Sequence, residues 1–137
     1  MNLTEAFDAA LARYHADSFG ELSARDQLLV TVWGLEADVN NGGFDQYYFN
    51  SSGDHAVHAP AALRSIGAPA MAAIVESANG LFGPGGPSTD RTVRQAQLFA
   101  ITERDESAFE NCDRDFLAYP EDLSALLATH FGLTAVV

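Results

Sequence analysis

Residues 39–54 read VNNGGFDQYYFNSSGD. Paired glycines at 42 and 43 stand between an apolar-periodic stretch and a tight cluster of aromatics and amides. Glycine is the usual residue where a helix ends, so the helix running into Val39 is expected to stop over Asn40–Gly43. Phe44–Asn50 then fits two further turns, closed by Ser51, Ser52 and Gly53. On those turns Phe44, Tyr47 and Tyr48 share a face, and Gln46 lies one turn before Asn50. Two readings follow. In the first, Asn41, Gly42, Gly43, Phe44, Gln46, Tyr47, Asn50 and Gly53 form a structural corner. There the aromatics fill a core and the amides satisfy backbone groups freed where helices break. In the second, Asn41, Gln46, Tyr47 and Asn50 line a polar pocket for a small ligand or peptide.

Outward from this block the punctuation is helical. Asn2 with Glu5 forms a capping-box pattern, and Phe7, Leu11 and Tyr14 mark one face of a helix over about 3–17. Ser23 opens the helix that reaches Val39. Further helices are expected over 55–65, from Pro69 through MAAIVESANGLF, from Ser88 or Asp90 to Arg104, over 105–117, and from Pro120 to Phe131. Pro60 either kinks the 55–65 helix or marks its first turn. FGPGGPS, residues 82–88, is the clearest loop. No period-2 alternation, fixed repeat or heptad series appears. The fold class read from this is all-α: a single compact domain, residues 1–137, of about six to eight short helices. A chain of 137 residues buries roughly two-thirds of its unfolded surface, enough for one core.

Composition narrows function. Nineteen acidic residues face seven basic ones, a net charge of −12. All the bases are arginines. Without lysine there is no Walker-type phosphate loop and no Schiff-base chemistry. Direct binding to nucleic acid or an anionic membrane is disfavoured, because those surfaces reward basic patches. Cys112 is the single cysteine, so no internal disulfide forms and a reducing compartment is expected. It shares a helical face with Phe109 and Phe116, as a small core group does. The N-terminal segment lacks a basic region before an apolar run, and no apolar stretch approaches about 20 residues. A cytoplasmic protein is inferred, with no cofactor.

Two further clusters matter. Asp54, His55 and His58 place two imidazoles at i and i+3 beside a carboxylate, the weak signature of a metal-dependent enzyme. Residues 103–122 hold Glu103, Asp105, Glu106, Glu110, Asp113, Asp115, Glu121 and Asp122 against Arg104 and Arg114 only. On one helix Glu106, Glu110 and Asp113 would form a stripe at i, i+4 and i+7, with carboxylates about 6 Å apart along the axis. Glu103, Glu106, Glu110, Asp113, Asp115, Glu121 and Asp122 are therefore the candidate surface for a basic protein partner. A homodimer would lengthen such a ribbon.

NNGGFDQYYFNSSGD followed by ALRSIGA resembles the core motif of a bacterial family of small helical domains, the DNA-mimic protein family. The likeness is specific over 39–68 and looser through YPEDLSALLATHF; a family-like core covers about 20–131. The resemblance implies an all-helical, non-catalytic protein. The family's founding member imitates the charge pattern of duplex DNA and occupies the DNA-binding surface of a transcription factor. The motif carries over as Asn41, Gly42, Gly43, Phe44, Gln46, Tyr47, Asn50, Gly53, Gly67 and Ala68, residues that look like fold determinants. Pro60 departs from the family pattern.

Overall fold

Asn2 begins the chain's first helix as the spacing predicts: its side-chain oxygen accepts from the Glu5 amide at 2.9 Å. The computed structural model describes residues 1–134, so the last three residues of the expected domain lie outside it. Among the described residues seven α-helices follow one another: α1 (Leu3–Ala16), α2 (Ala24–Phe49), α3 (Ala59–Ser65), α4 (Pro69–Gly80), α5 (Arg91–Arg104), α6 (Glu110–Leu117) and α7 (Leu123–Phe131). Two 3₁₀ segments, Phe19–Glu21 and Ser51–His58, flank α2. Among the described residues the only β pairing is an isolated parallel bridge between Asn2 and Thr134. No described helix is long and apolar enough to cross a membrane.

The spine is α2, which packs against α1, α3, α5, α6 and the Ser51–His58 segment. Ser23 caps its start by accepting from the Asp26 amide. Asp26 is buried and receives the Arg13 guanidinium, whose hydrogen bonds hold its carboxyl below the usual carboxylate range. Leu29, Val32, Leu35, Phe44, Tyr47 and Tyr48 are fully buried along it. The helix breaks where the glycines stand. Gly42 has φ −154° and Gly43 has φ +73°, ψ −174°, and the chain then resumes as a helix to Phe49.

Three expected boundaries move, each for a local reason. The helix foreseen over 55–65 is split: Ser51–His58 is 3₁₀ and α3 starts at Ala59. Pro60 therefore sits in a first turn, where a missing N–H breaks no helical bond. The helix foreseen over 105–117 starts only at Glu110. Asp105 turns the chain by accepting from both the amide and the hydroxyl of Ser107, a side-chain bond that competes with helix. The last helix starts at Leu123 rather than Pro120, because Asp122 accepts from the Ala125 amide and is the cap.

Candidate functional site

The corner at residues 38–54 is built by three sets of contacts. Gln46 accepts from Asn41 at 2.9 Å and donates to Asp38 at 2.8 Å, and Asn50 donates to the same Asp38 oxygen at 3.2 Å. These amides stitch the two halves of α2 across the glycine break. Phe44, Tyr47 and Tyr48 point inward and pack with Phe82, Phe109 and Phe116, ring centroids 4.6–6.2 Å apart. Gly53 lies against Tyr47 and Arg94, where an added Cβ would stand 2.7 Å from both the Tyr47 carbonyl and Arg94 Nε.

Arg94 is one residue that sequence reasoning missed. It is completely buried. Its Nε donates to the Tyr48 carbonyl at 2.7 Å, and its two terminal nitrogens donate to Ser88 at 3.0 Å and Asn50 at 2.8 Å. Asp54 sits 2.8 Å away as its ion-pair partner. Arg91 and Gln95 each donate to the Phe49 carbonyl at 3.0 Å. One face of α5 thus supplies the last carbonyls of α2 with donors, where a helix end leaves them without internal partners. A signal was present: Arg94, Leu98 and Ile101 stand at i, i+4 and i+7, so the arginine falls on the buried face.

The Tyr47 hydroxyl is buried with no hydrogen-bond partner among the described residues. Burial pushes its phenol well above the usual range. An unpaired buried hydroxyl disfavours the folded state, so Tyr47→Phe is expected to leave stability unchanged or raise it by about 1 kcal/mol in chemical denaturation. A ligand-holding hydroxyl would be kept at that disadvantage for binding; a core ring needs no hydroxyl.

His55 is a core histidine. Its Nε2 lies 2.9 Å from the Tyr14 hydroxyl, and its ring stacks on Phe19 at 4.0 Å. Burial holds its pKa below the usual imidazole value, against the neighbouring Asp54. Asp54 is paired with Arg94, and His58 is exposed. Among the described residues no group of three or more His, Cys, Asp or Glu side chains could hold a metal ion. Cys112 is half-buried, and burial with Asp113 and Asp115 nearby pushes its thiol up, away from a reactive thiolate.

The seven candidate acidic residues do not share one surface. Glu121 accepts from the Ala70 and Met71 amides at 3.0 and 2.7 Å, closing the N-terminus of α4, and Asp122 caps α7. Asp115 faces Arg114 at 3.8 Å. Glu103 is exposed on the last turn of α5. The other three meet. Glu106, Glu110 and Asp113 line one open groove of about 580 Å³ with Asp45, Thr102, Ser107 and Phe109, and no basic side chain is among them. They are not a stripe on one helix, since Glu106 precedes α6; the turn at Asp105–Phe109 folds it beside the others. Asp45, on α2, joins the groove with no sequence signal to announce it. Asp113 also braces the backbone, because its Oδ1 accepts from the Phe44 amide at 2.7 Å, where α2 restarts. Partial burial raises its pKa, the Phe44 bond opposes this, and Asp45 and Glu110 add to the rise.

The corner lies within the stretch that a comparison with protein families matches. The model described as DMP19-like protein matches residues 20–133. The chain belongs to the DMP19-like family. No curated protein and no solved structure matches it. Asn41, Gly42, Gly43, Phe44, Gln46 and Asn50, which carry the sequence resemblance to the DMP19-like family, make the break in α2 and bridge it.

Proposed function

We propose that this protein is a non-catalytic DNA mimic: its acidic surface occupies the basic DNA-binding face of a partner protein. One observation carries the reading. Asp45, Glu106, Glu110 and Asp113, drawn from two separate parts of the chain, converge on one groove that no arginine lines. Like charges held together disfavour the fold, and a basic partner relieves them. Membership of a family named for a DNA mimic supports the same reading, as does the net charge of −12. Glu103 and Asp115, both exposed, add to the negative charge of the same third of the chain. Complementary fields speed encounter and make the complex sensitive to salt. A non-catalytic role agrees with the motif's amides, which are engaged in the fold.

The test exchanges Glu106 and Glu110 for lysine and leaves Asp113, which holds the Phe44 amide. A partner captured from the source cell at low salt and released at higher salt is purified, and its binding to duplex DNA is measured. Wild-type protein is expected to displace the DNA. The E106K/E110K variant, equally stable, is expected to compete at least about tenfold more weakly. Equal competition by the variant, or a partner that holds DNA and this protein together, would overturn the proposal.

A further inference from the structure

A second concavity shares no residue with the acidic groove and is of opposite character. Between α1, α2 and the Ser51–His58 segment lies a recess of about 180 Å³. Gly34 forms part of its wall. Glycine inside a helix is unfavourable by about 0.5–1 kcal/mol relative to alanine. Here a Cβ would stand 2.8 Å from the Ser52 hydroxyl, so its absence lets the 3₁₀ segment close against α2. Trp33, beside it, is 39% exposed, while Val32 and Leu35 are fully buried. Its indole stands at the recess with Leu11 and Val30.

The polar side chains of the recess carry hydroxyls and imidazoles, that of His15 among them. Ser51 and Ser52 bring hydroxyls. Tyr14 and His55 bring a phenol and an imidazole fixed 2.9 Å apart, with Phe19 stacked behind the imidazole. No carboxylate or guanidinium lines the recess, in a chain with nineteen acids. A cation therefore finds no local counter-charge, and an anion meets a protein of net charge −12. The volume equals about six waters at roughly 30 Å³ each and falls below the 300 Å³ or so at which drug-sized ligand pockets begin. Single-ring size is the limit.

We propose that this recess binds a small, uncharged, single-ring aromatic molecule bearing a hydrogen-bonding group, the ring against Trp33 and the polar group toward the Ser51–His55 side. The inference does not rest on the DNA-mimic reading. Trp33 is the chain's one tryptophan, so its fluorescence reports on this place alone. The probes are benzamide, benzoate and benzamidine, nearly equal in shape and neutral, anionic and cationic respectively. Benzamide is expected to give a saturable change in Trp33 emission at about millimolar concentration, with the two charged probes at least about tenfold weaker. Leu11→Phe places extra ring carbons in the recess and is expected to remove the response while thermal unfolding is unchanged. Ser51→Leu, at an exposed position, does the same from the mouth if Leu11→Phe folds poorly. No saturable response, equal responses to the three probes, or full benzamide binding by a folded Ser51→Leu variant would overturn the proposal.

Discussion

Replacing Arg94 with leucine is expected to destabilise the protein by about 3–5 kcal/mol, the range for removing one partner of a buried ion pair. The guanidinium is wholly enclosed and serves three carbonyls and one carboxylate at 2.7–3.0 Å. Leucine fills part of the volume but donates nothing. The Tyr48 and Asn50 carbonyls at the end of α2 lose their donors, and Asp54 keeps a charge with no counter-charge beside it. A positive group at a helix C-terminus also complements the helix dipole, which leucine cannot do. Arg94→Lys separates charge from geometry. A lysine keeps the charge but lacks the planar fork that reaches several acceptors at once, so a loss of about 2 kcal/mol is expected. Equilibrium denaturation at neutral pH measures both. A leucine variant within about 1 kcal/mol of wild type would mean that Arg94 is not the closure of α2.

How far the sequence discloses this arrangement depends on the range of the forces involved. Helix starts governed by a side chain two or three residues away were legible: Asn2, Ser23 and Asp90 each accept from the amide three residues on. The glycine break was legible because φ/ψ freedom is a property of the residue itself. Boundaries set by a competing local bond were not; the Asp105–Ser107 turn displaced the start of α6 although the composition there suits a helix. Long-range pairings were least legible. Arg94 and Tyr48 are 46 residues apart, and nothing near Asp45 indicates that Glu106 and Glu110 will face it. Among the acidic residues, the charge count was visible in the sequence. The division between Glu121 and Asp122, which close helix ends, and Glu106 and Glu110, which stand free, required the tertiary arrangement.

Gly43→Ala is expected to destabilise by about 3 kcal/mol or more, through two separable causes. The first is backbone strain. With φ +73° and ψ −174°, Gly43 occupies a region that is essentially reserved for glycine, where other residues carry of order 1–3 kcal/mol of strain. The second is contact. A Cβ there would stand 2.6 Å from Asp113 Oδ2, and Asp113 cannot simply swing away, because its other oxygen holds the Phe44 amide. Asp113→Ala alone removes that bond and leaves the first amide of the restarted helix without its acceptor, an expected loss of about 1–2 kcal/mol. In the double variant the Cβ no longer meets a carboxylate, so the combined loss is expected to fall short of the sum by about 1 kcal/mol, the behaviour of residues in direct contact. Additive losses would assign the whole effect of Gly43→Ala to φ/ψ strain. The same cycle bears on the acidic groove. Asp113 is anchored by Phe44 and held against Asp45 and Glu110, so the glycine break that restarts α2 also fixes the position of one of the groove's four carboxylates. Loss of partner binding in Gly43→Ala, at a temperature where the variant remains folded, would tie the family's glycine motif directly to the acidic surface.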